Sequence, residues 1–496
     1  MEQYMRQIDD RVELTDAGMA TIKESPLYNP DLAPIQVKDR TWGHFNYFSL
    51  WVGIVTCIPT LLLTGGMIPN LAWWQALLAI CVGSLGMSYL MKFSGHAGAK
   101  YGITMGVLGR ASWGIKGTYL AMFIRSSVAM GYAGIETFIG GSAVDGLILS
   151  IAPGWANVSG HLWICLFLFA VLTMALVWFS PPTNEMKAYK ILTIIAVPGK
   201  FIALALIVIV LYMQVGSWGP LFNTPAQYNG TAWTTFFIAC LVGAFGYWGE
   251  SMTHFSDLSR YSKDTKVYAK GAVSGVTIGM VAFGMVGIML ASFSKALYGQ
   301  TIWNPIDLIV MLQIPWLSVV ALFFISLVAI TTNIGANLTP SGYFFSTLVP
   351  KYINWRTGAL ITMLIGMALR PWSLLATFGN FLFDWLLLWM CWIAPLAGIM
   401  ACDYWLLRKT KLNIVELFNP VGPFKYANGF NPCALIAWAL ATVLALIFKN
   451  ESFVVGYIAG IVFYYVIMKY WGLAKYNQND LIDGKPEEKR PVTAEV

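Results

Sequence analysis

Residues 45–68 read FNYFSLWVGIVTCIPTLLLTGGMI, a charge-free apolar stretch long enough to cross a hydrocarbon core of roughly 30 Å. Pro59 falls beyond its middle, among Trp51, Gly53, Thr56 and Cys57. A proline at that depth removes a backbone donor and frees a carbonyl about one turn earlier. Non-helical backbone inside a bilayer survives only where protein or a water-filled cavity surrounds it. The stretch therefore reads as a membrane-spanning helix with an interruption turned toward the interior.

The rest of the chain has the same character. Of 496 residues, 57% are hydrophobic and 11% charged, too few charges to cover a soluble globule of that size. Apolar runs such as Leu71 to Phe93, Leu162 to Phe179 and Ala272 to Leu290 recur throughout. They predict an all-α integral membrane protein of about twelve spans, near 45–68, 71–93, 117–150, 161–180, 189–215, 232–255, 269–294, 315–345, 357–373, 376–406, 431–448 and 452–472.

Twelve spans put both termini on one side, and the basic residues choose it. With the N-terminus cytoplasmic, all but five of the 31 Lys and Arg residues fall in cytoplasmic segments; Lys295, Arg370 and Lys449 lie outside, and Arg125 and Lys200 within helices. The net charge of +7 is then a topology signal rather than a nucleic-acid footprint. Residues 1–44 hold no apolar signal-peptide core, so insertion falls to the first span. Seven scattered cysteines and four unpaired histidines predict neither disulfides nor a metal centre. The polar residues 477–496 predict a disordered cytoplasmic tail.

Helix six carries a second weak point, Gly243, Gly246 and Gly249 around Tyr247 and Trp248. Interruptions in the first and sixth helices are what an inverted repeat of five plus five helices produces, with a binding site where the broken helices meet. The repeats would be 45–215 and 232–406, followed by 407–476 with a loop and two further helices. The competing reading is close packing alone, which glycine also permits.

Polar residues inside the spans are the candidate site. Tyr132 and Glu136, spaced i, i+4, share a face of helix three and suit a planar, N–H-bearing ligand; a carboxylate costing about 2.5–3.5 kcal/mol in lipid should face the interior. Thr331, Thr332, Asn333 and Asn337 in helix eight offer hydroxyls for a small alkali cation and an amide pair for a heterocycle, or simply hold helices together. Lys200, two residues after Pro198, must pair, deprotonate or bind something; Glu250 is the candidate partner. Arg125 is expected to snorkel from helix three. Asp145 and Asp384 fit either a helix end or a structural pair.

In the segments Asn29-Pro30-Asp31-Leu32-Ala33-Pro34, Gly98-Ala99-Lys100-Tyr101-Gly102, Arg110-Ala111-Ser112-Trp113-Gly114, Thr332-Asn333-Ile334-Gly335-Ala336-Asn337 and Ala394-Pro395-Leu396-Ala397-Gly398-Ile399-Met400 followed by Asp403-Tyr404, the chain resembles the nucleobase:cation symporter family of hydantoin, allantoin and cytosine transporters. The resemblance runs from about Asn29 to Trp471. It implies the leucine-transporter-like fold and alternating access. It also implies a ligand ring clamped between Tyr132 and Trp248, with Glu136 and Asn337 as polar partners. In sodium-coupled members the ion sits at positions matching the carbonyls of Gly53, Thr56 and Val328 and the hydroxyls of Thr331 and Thr332. Three departures stand out: Tyr132 replaces a frequent tryptophan, Cys57 a frequent amide, and Lys200 a usual apolar residue. Because helix five runs beside the cation site in this fold, an ammonium there would replace sodium and make the protein proton-coupled.

The reading is a secondary active symporter of the cytoplasmic membrane, not an enzyme, importing a nucleobase or cyclic ureide with Na+ or H+ and needing no cofactor beyond a bound Na+. An amino-acid or vitamin carrier on the same fold is the alternative. A membrane enzyme would call for clustered acids, bases or metal ligands, and a channel for a filter repeat.

Overall fold

The computed structural model describes residues 3–179, 187–348 and 352–478. The tail expected to be disordered lies outside the described residues from position 479 onward.

Among the described residues, nine helices are long and apolar enough to span a membrane, and the pair His44–Val55 and Ile58–Gly65, bent by 62°, makes a tenth. Two more expected spans are present as shorter helices, Trp355–Ala368 and Pro432–Ile447, of 14 and 16 residues. At 1.5 Å per residue they reach only about 21 and 24 Å, short of the full hydrocarbon thickness.

The first helix ends where the sequence says it should. Thr56 (φ −86°, ψ 62°) leaves the helical region, Cys57 is extended, and Pro59 enters the second half at its start, where its missing N–H costs nothing. Helix six is likewise divided into Gly230–Gly246 and Ser251–Ser259, with the turn 247–250 between.

The helices sort into groups by packing. Val267–Tyr298 lies along Trp73–Tyr101 and both halves of the first span, and both halves of helix six pack on Trp73–Tyr101. Gly117–Ile151 packs against His161–Phe179, Pro315–Thr332 and Trp355–Ala368. Helix Lys187–Val215 touches both groups, through Pro315–Thr332 and Val267–Tyr298. Leu387–Ala401, Pro432–Ile447 and Ser452–Ile467 form a third cluster. Gly134 and Gly366 set one crossing: a Cβ on either would run into the backbone of the other, so only glycine permits the approach.

Four stretches within or at the ends of expected α-helices are π-helical, Asn333–Leu338, Asn380–Leu386, Cys402–Leu407 and Met468–Gly472. Such wide turns concentrate at functional positions, and the first lies beside the site below. The N-terminal segment forms an antiparallel hairpin, Met5–Ile8 with Arg11–Leu14, and the helix Asp16–Lys23. It is fastened by Arg40, which donates to the carbonyls of Val12, Ile35, Ala99 and Lys100. The Ile414 N–H meets the sulfur of Met5, and Arg408 donates to Gln478, so the described ends share one face. Nearby, the buried Arg408–Asp403 pair (2.7 Å) with Tyr464, which donates to Asp403, ties the last helix to the core.

Candidate functional site

Where the two interrupted helices meet Gly117–Ile151 and the π-turn of helix eight, the protein forms a cavity lined by Cys57, Pro59, Tyr132, Glu136, Tyr247, Trp248, Glu250, Thr332, Ala336 and Asn337. In this conformation its free volume is about 20 Å³, room for a single water molecule. Its walls are aromatic. Tyr132 stands edge-on to Tyr247, centroids 6.4 Å apart at 89°, and Trp248 stands edge-on to Tyr247 (5.3 Å) and Trp51 (6.4 Å).

Most buried polar groups find a partner. Among the described residues several do not: Glu136 Oε2, Glu250 Oε2, the Trp248 indole N–H and the Tyr132 hydroxyl are buried without one. Unpaired groups converging on one cavity are what a ligand with complementary donors and acceptors would satisfy.

Five expected ligand residues, Tyr132, Glu136, Trp248, Asn337 and Cys57, are brought together on this cavity. Cys57 is also engaged with its neighbours, its sulfur 3.5 Å from Thr60 Oγ1 and 3.6 Å from the Tyr247 hydroxyl. Asn333 is a correction: it is fully buried behind the wall. Its Nδ2 donates to the Ala133 carbonyl (3.2 Å) and Thr137 Oγ1 (3.1 Å), and its Oδ1 accepts from Asn337 Nδ2 (3.3 Å). It braces Asn337 and does not line the cavity.

The expected cation residues divide. In the kink, Pro59 offers Val55 no N–H, and the Thr60 hydroxyl caps that carbonyl instead (2.7 Å). The carbonyls of Gly53 and Thr56 accept from the Lys200 ammonium, at 3.2 and 2.8 Å. Lys200 is 4% exposed and lies 5.6 and 5.9 Å from the ring centroids of Phe201 and Phe283. With Val328 it lines a small, otherwise apolar void of about 10 Å³. The Thr331 hydroxyl donates to the Val328 carbonyl (3.0 Å), and Thr332 faces the larger cavity. Two of the five positions matched to sodium, the carbonyls of Gly53 and Thr56, are thus engaged by an ammonium.

Glu250 and Arg125 are further corrections. Glu250 is not seen with Lys200; it lines the cavity, 3.6 Å from Arg125 Nη2. Arg125 does not snorkel: it is 3% exposed, with Nε 3.1 Å from His254 Nδ1 and Nη2 3.2 Å from His254 Nε2. Asp145 is structural, accepting from Trp155 (2.9 Å) and paired with His161 (2.7 Å), while Asp384 is exposed 4.0 Å from Lys449. Sequence reasoning missed Tyr247, the aromatic partners Trp385 and Trp389 of Tyr132, and the Arg125–His254 pair. The only signal for Tyr247 was its place beside Trp248 in a glycine-rich turn.

A family profile described as permease for cytosine/purines, uracil, thiamine and allantoin matches residues 34–471. The allantoin permease of Bacillus subtilis is 29% identical over 459 residues, covering 89% of this chain and 93% of its own. The purine-uracil permease of Arabidopsis thaliana is 28% identical, covering 92% and 80%. Among solved structures, the inward-facing conformation of Mhp1 aligns at a TM-score of 0.79 with 22% identity, over 94% of this chain and 98% of that one. Mhp1 closed on bromovinylhydantoin aligns at 0.77, also 22% identical, over 92% and 99%. The fold is that of these transporters.

Proposed function

Because the chain belongs to the family of permeases for cytosine and purines, uracil, thiamine and allantoin, we propose that it imports a nucleobase or cyclic ureide across the cytoplasmic membrane by alternating access around the cavity at the two helix breaks. The observation that carries this reading is the cavity itself. Aromatic walls surround unpaired Glu136, Trp248 and Tyr132 polar atoms, the complement of a flat heterocycle bearing N–H and C=O groups. Tyr132 and Trp248 hold the ring, Glu136 accepts its N–H donors, and Asn337, braced by Asn333, reads a further edge. The relatives named for allantoin, purines and uracil support the substrate class. Both termini lie on the cytoplasmic side, and the ten helices 45–406 work as two repeats of five.

The coupling cation is a proton. The Lys200 ammonium on the carbonyls of Gly53 and Thr56 supports this over sodium, because it supplies in tethered form the charge that holds the broken first helix.

The test is a thermal-shift screen of the purified protein against nucleobases, hydantoins, allantoin, thiamine and amino acids, with and without sodium. A ligand stabilises as RT ln(1 + [L]/Kd). Stabilisation by a nucleobase or ureide, equal in sodium and choline, is expected; stabilisation by thiamine or amino acids alone would favour the vitamin or amino-acid carrier.

A further inference from the structure

The central cavity holds two carboxylates on different helices. Glu136 belongs to Gly117–Ile151 and Glu250 to the turn at the break of helix six, and they are 2% and 4% exposed. Each has an Oε2 without a hydrogen-bond partner, and the Trp248 N–H beside them is also unpaired.

An ion pair with Arg125 would be the ordinary employment for Glu250, but two of the guanidinium nitrogens face His254 and the third, Nη1, is buried without a hydrogen-bond partner. Its Nε and Nη2 lie within 3.2 Å of the two His254 ring nitrogens, and Nη2 also reaches the Ala336 carbonyl at 3.5 Å. Its approach to Glu250 Oε2, at 3.6 Å, is too long for a hydrogen bond. His254 does not take the carboxylate either, since its Nδ1 is 3.1 Å from the Glu250 backbone carbonyl. Arg125 therefore offsets the charge of Glu250 while leaving its acceptor open to the cavity. Glu136 has no hydrogen-bonded cation of its own, and a carboxylate accepts but does not donate when ionised.

We propose that Glu250 is a second ligand-binding carboxylate, so that the substrate is a ring with N–H donors on two separate edges, one read by Glu136 and the other by Glu250. This rests on the reading of the cavity as a nucleobase or ureide site and narrows it. A heterocycle with a single N–H leaves one carboxylate desolvated and unpaired, which a closed site penalises. Rings with two separated N–H groups, as in uracil or hydantoin, meet both.

The experiment measures binding to the full-length purified protein of uracil, 1-methyluracil and 3-methyluracil, and of hydantoin with its 1-methyl and 3-methyl derivatives. In the wild type, methylation at either nitrogen lowers affinity by about tenfold to a hundredfold, the loss of one hydrogen bond to a charged partner. Glu250→Gln abolishes discrimination at one nitrogen, to within about twofold, and leaves the other intact; Glu136→Gln does the reverse. Glu250→Asp, which keeps the charge for Arg125 and withdraws the carboxylate by one methylene, serves the same comparison if the glutamine variant does not fold. Discrimination unchanged in the Glu250 variants would overturn the proposal and leave Glu250 as the partner of Arg125. Tighter binding of cationic thiamine than of any neutral ring, lost in both variants, would overturn it in favour of a charge-selecting pair. If no nucleobase or ureide binds the wild type, the reading of the cavity fails first, a result distinct from binding without discrimination.

Discussion

The Lys200 ammonium stands 2.8 Å from the carbonyl oxygen of Thr56, inside the kink of the first spanning helix. A buried cation thereby satisfies backbone that the break leaves without helical partners, and it ties helix five to the segment that must rearrange when the site opens. Removing its charge should separate binding from energy coupling. In proteoliposomes, Lys200→Met is expected to lose accumulation driven by a pH gradient, falling to the outside concentration, while exchange of labelled for unlabelled substrate persists. Pumping by the variant at the wild-type level would exclude a coupling role. Since Thr332 faces the ligand cavity, Thr332→Ala should weaken binding equally in sodium and in choline.

On the proposed reading, Glu136 decides the ligand's donor pattern. Its alanine variant leaves ligand N–H groups without an acceptor, at about 1.5–3 kcal/mol, or roughly tenfold to a hundredfold in affinity. Equilibrium binding on purified protein checks this, with melting temperature as the control for folding; wild-type affinity in Glu136→Ala would place the ligand elsewhere.

Asn333 predicts a different phenotype from the residues in front of it. Removing its amide strips the Asn337 Nδ2 of its acceptor and the Ala133 carbonyl and Thr137 hydroxyl of a donor. Asn333→Ala should therefore destabilise the protein by about 1–3 kcal/mol and also weaken binding. Asn337→Ala should weaken binding with a smaller loss of melting temperature. The two are told apart by measuring both quantities on each variant.

A pH effect is expected in the N-terminal hairpin. Burial pushes the Glu13 carboxyl up, but the Val37 N–H (2.7 Å) and Arg6 Nε (2.6 Å), with the charges of Arg6 and Arg40, outweigh it and hold the group below the ordinary carboxylate value. A depressed value contributes stability fully present above the unfolded-state pKa and lost as pH falls through the folded one. Amide protection factors across residues 5–14, with the intrinsic pH dependence of exchange divided out, should fall on acidification below the ordinary carboxylate range. In Glu13→Gln they should be lower at neutral pH and less sensitive to acid.

The spans and their two breaks were legible because both rest on local signals: run length, Pro59, and the glycines around Tyr247. The cavity residues Tyr132, Glu136, Trp248 and Asn337 were legible because polar and aromatic groups in apolar helices are conspicuous. What was not legible depends on pairing between distant segments. Arg125 and His254 are 129 positions apart, and neither the periodicity of one helix nor that of the other registers the meeting. Lys200 announced that it needed a partner, yet the partner proved to be backbone carbonyl, which every residue carries. Asn333 and Asn337 look alike in sequence; only the packing of Asn333 against Ala133 and Thr137 separates the support from the contact.

The crossing of Gly134 with Gly366 bears on how such a site diversifies. On one side, the helix holding Tyr132 and Glu136 is located by main chain against main chain, so its position there depends on glycine at 134 and 366 and not on Tyr132 or Glu136. Substitutions at Tyr132 or Glu136 can then alter what the cavity accepts while the wall that carries them keeps that anchor. On the proposed reading, selectivity and scaffold are specified by neighbouring but different residues of one helix, so a single substitution can change the first while leaving the second in place.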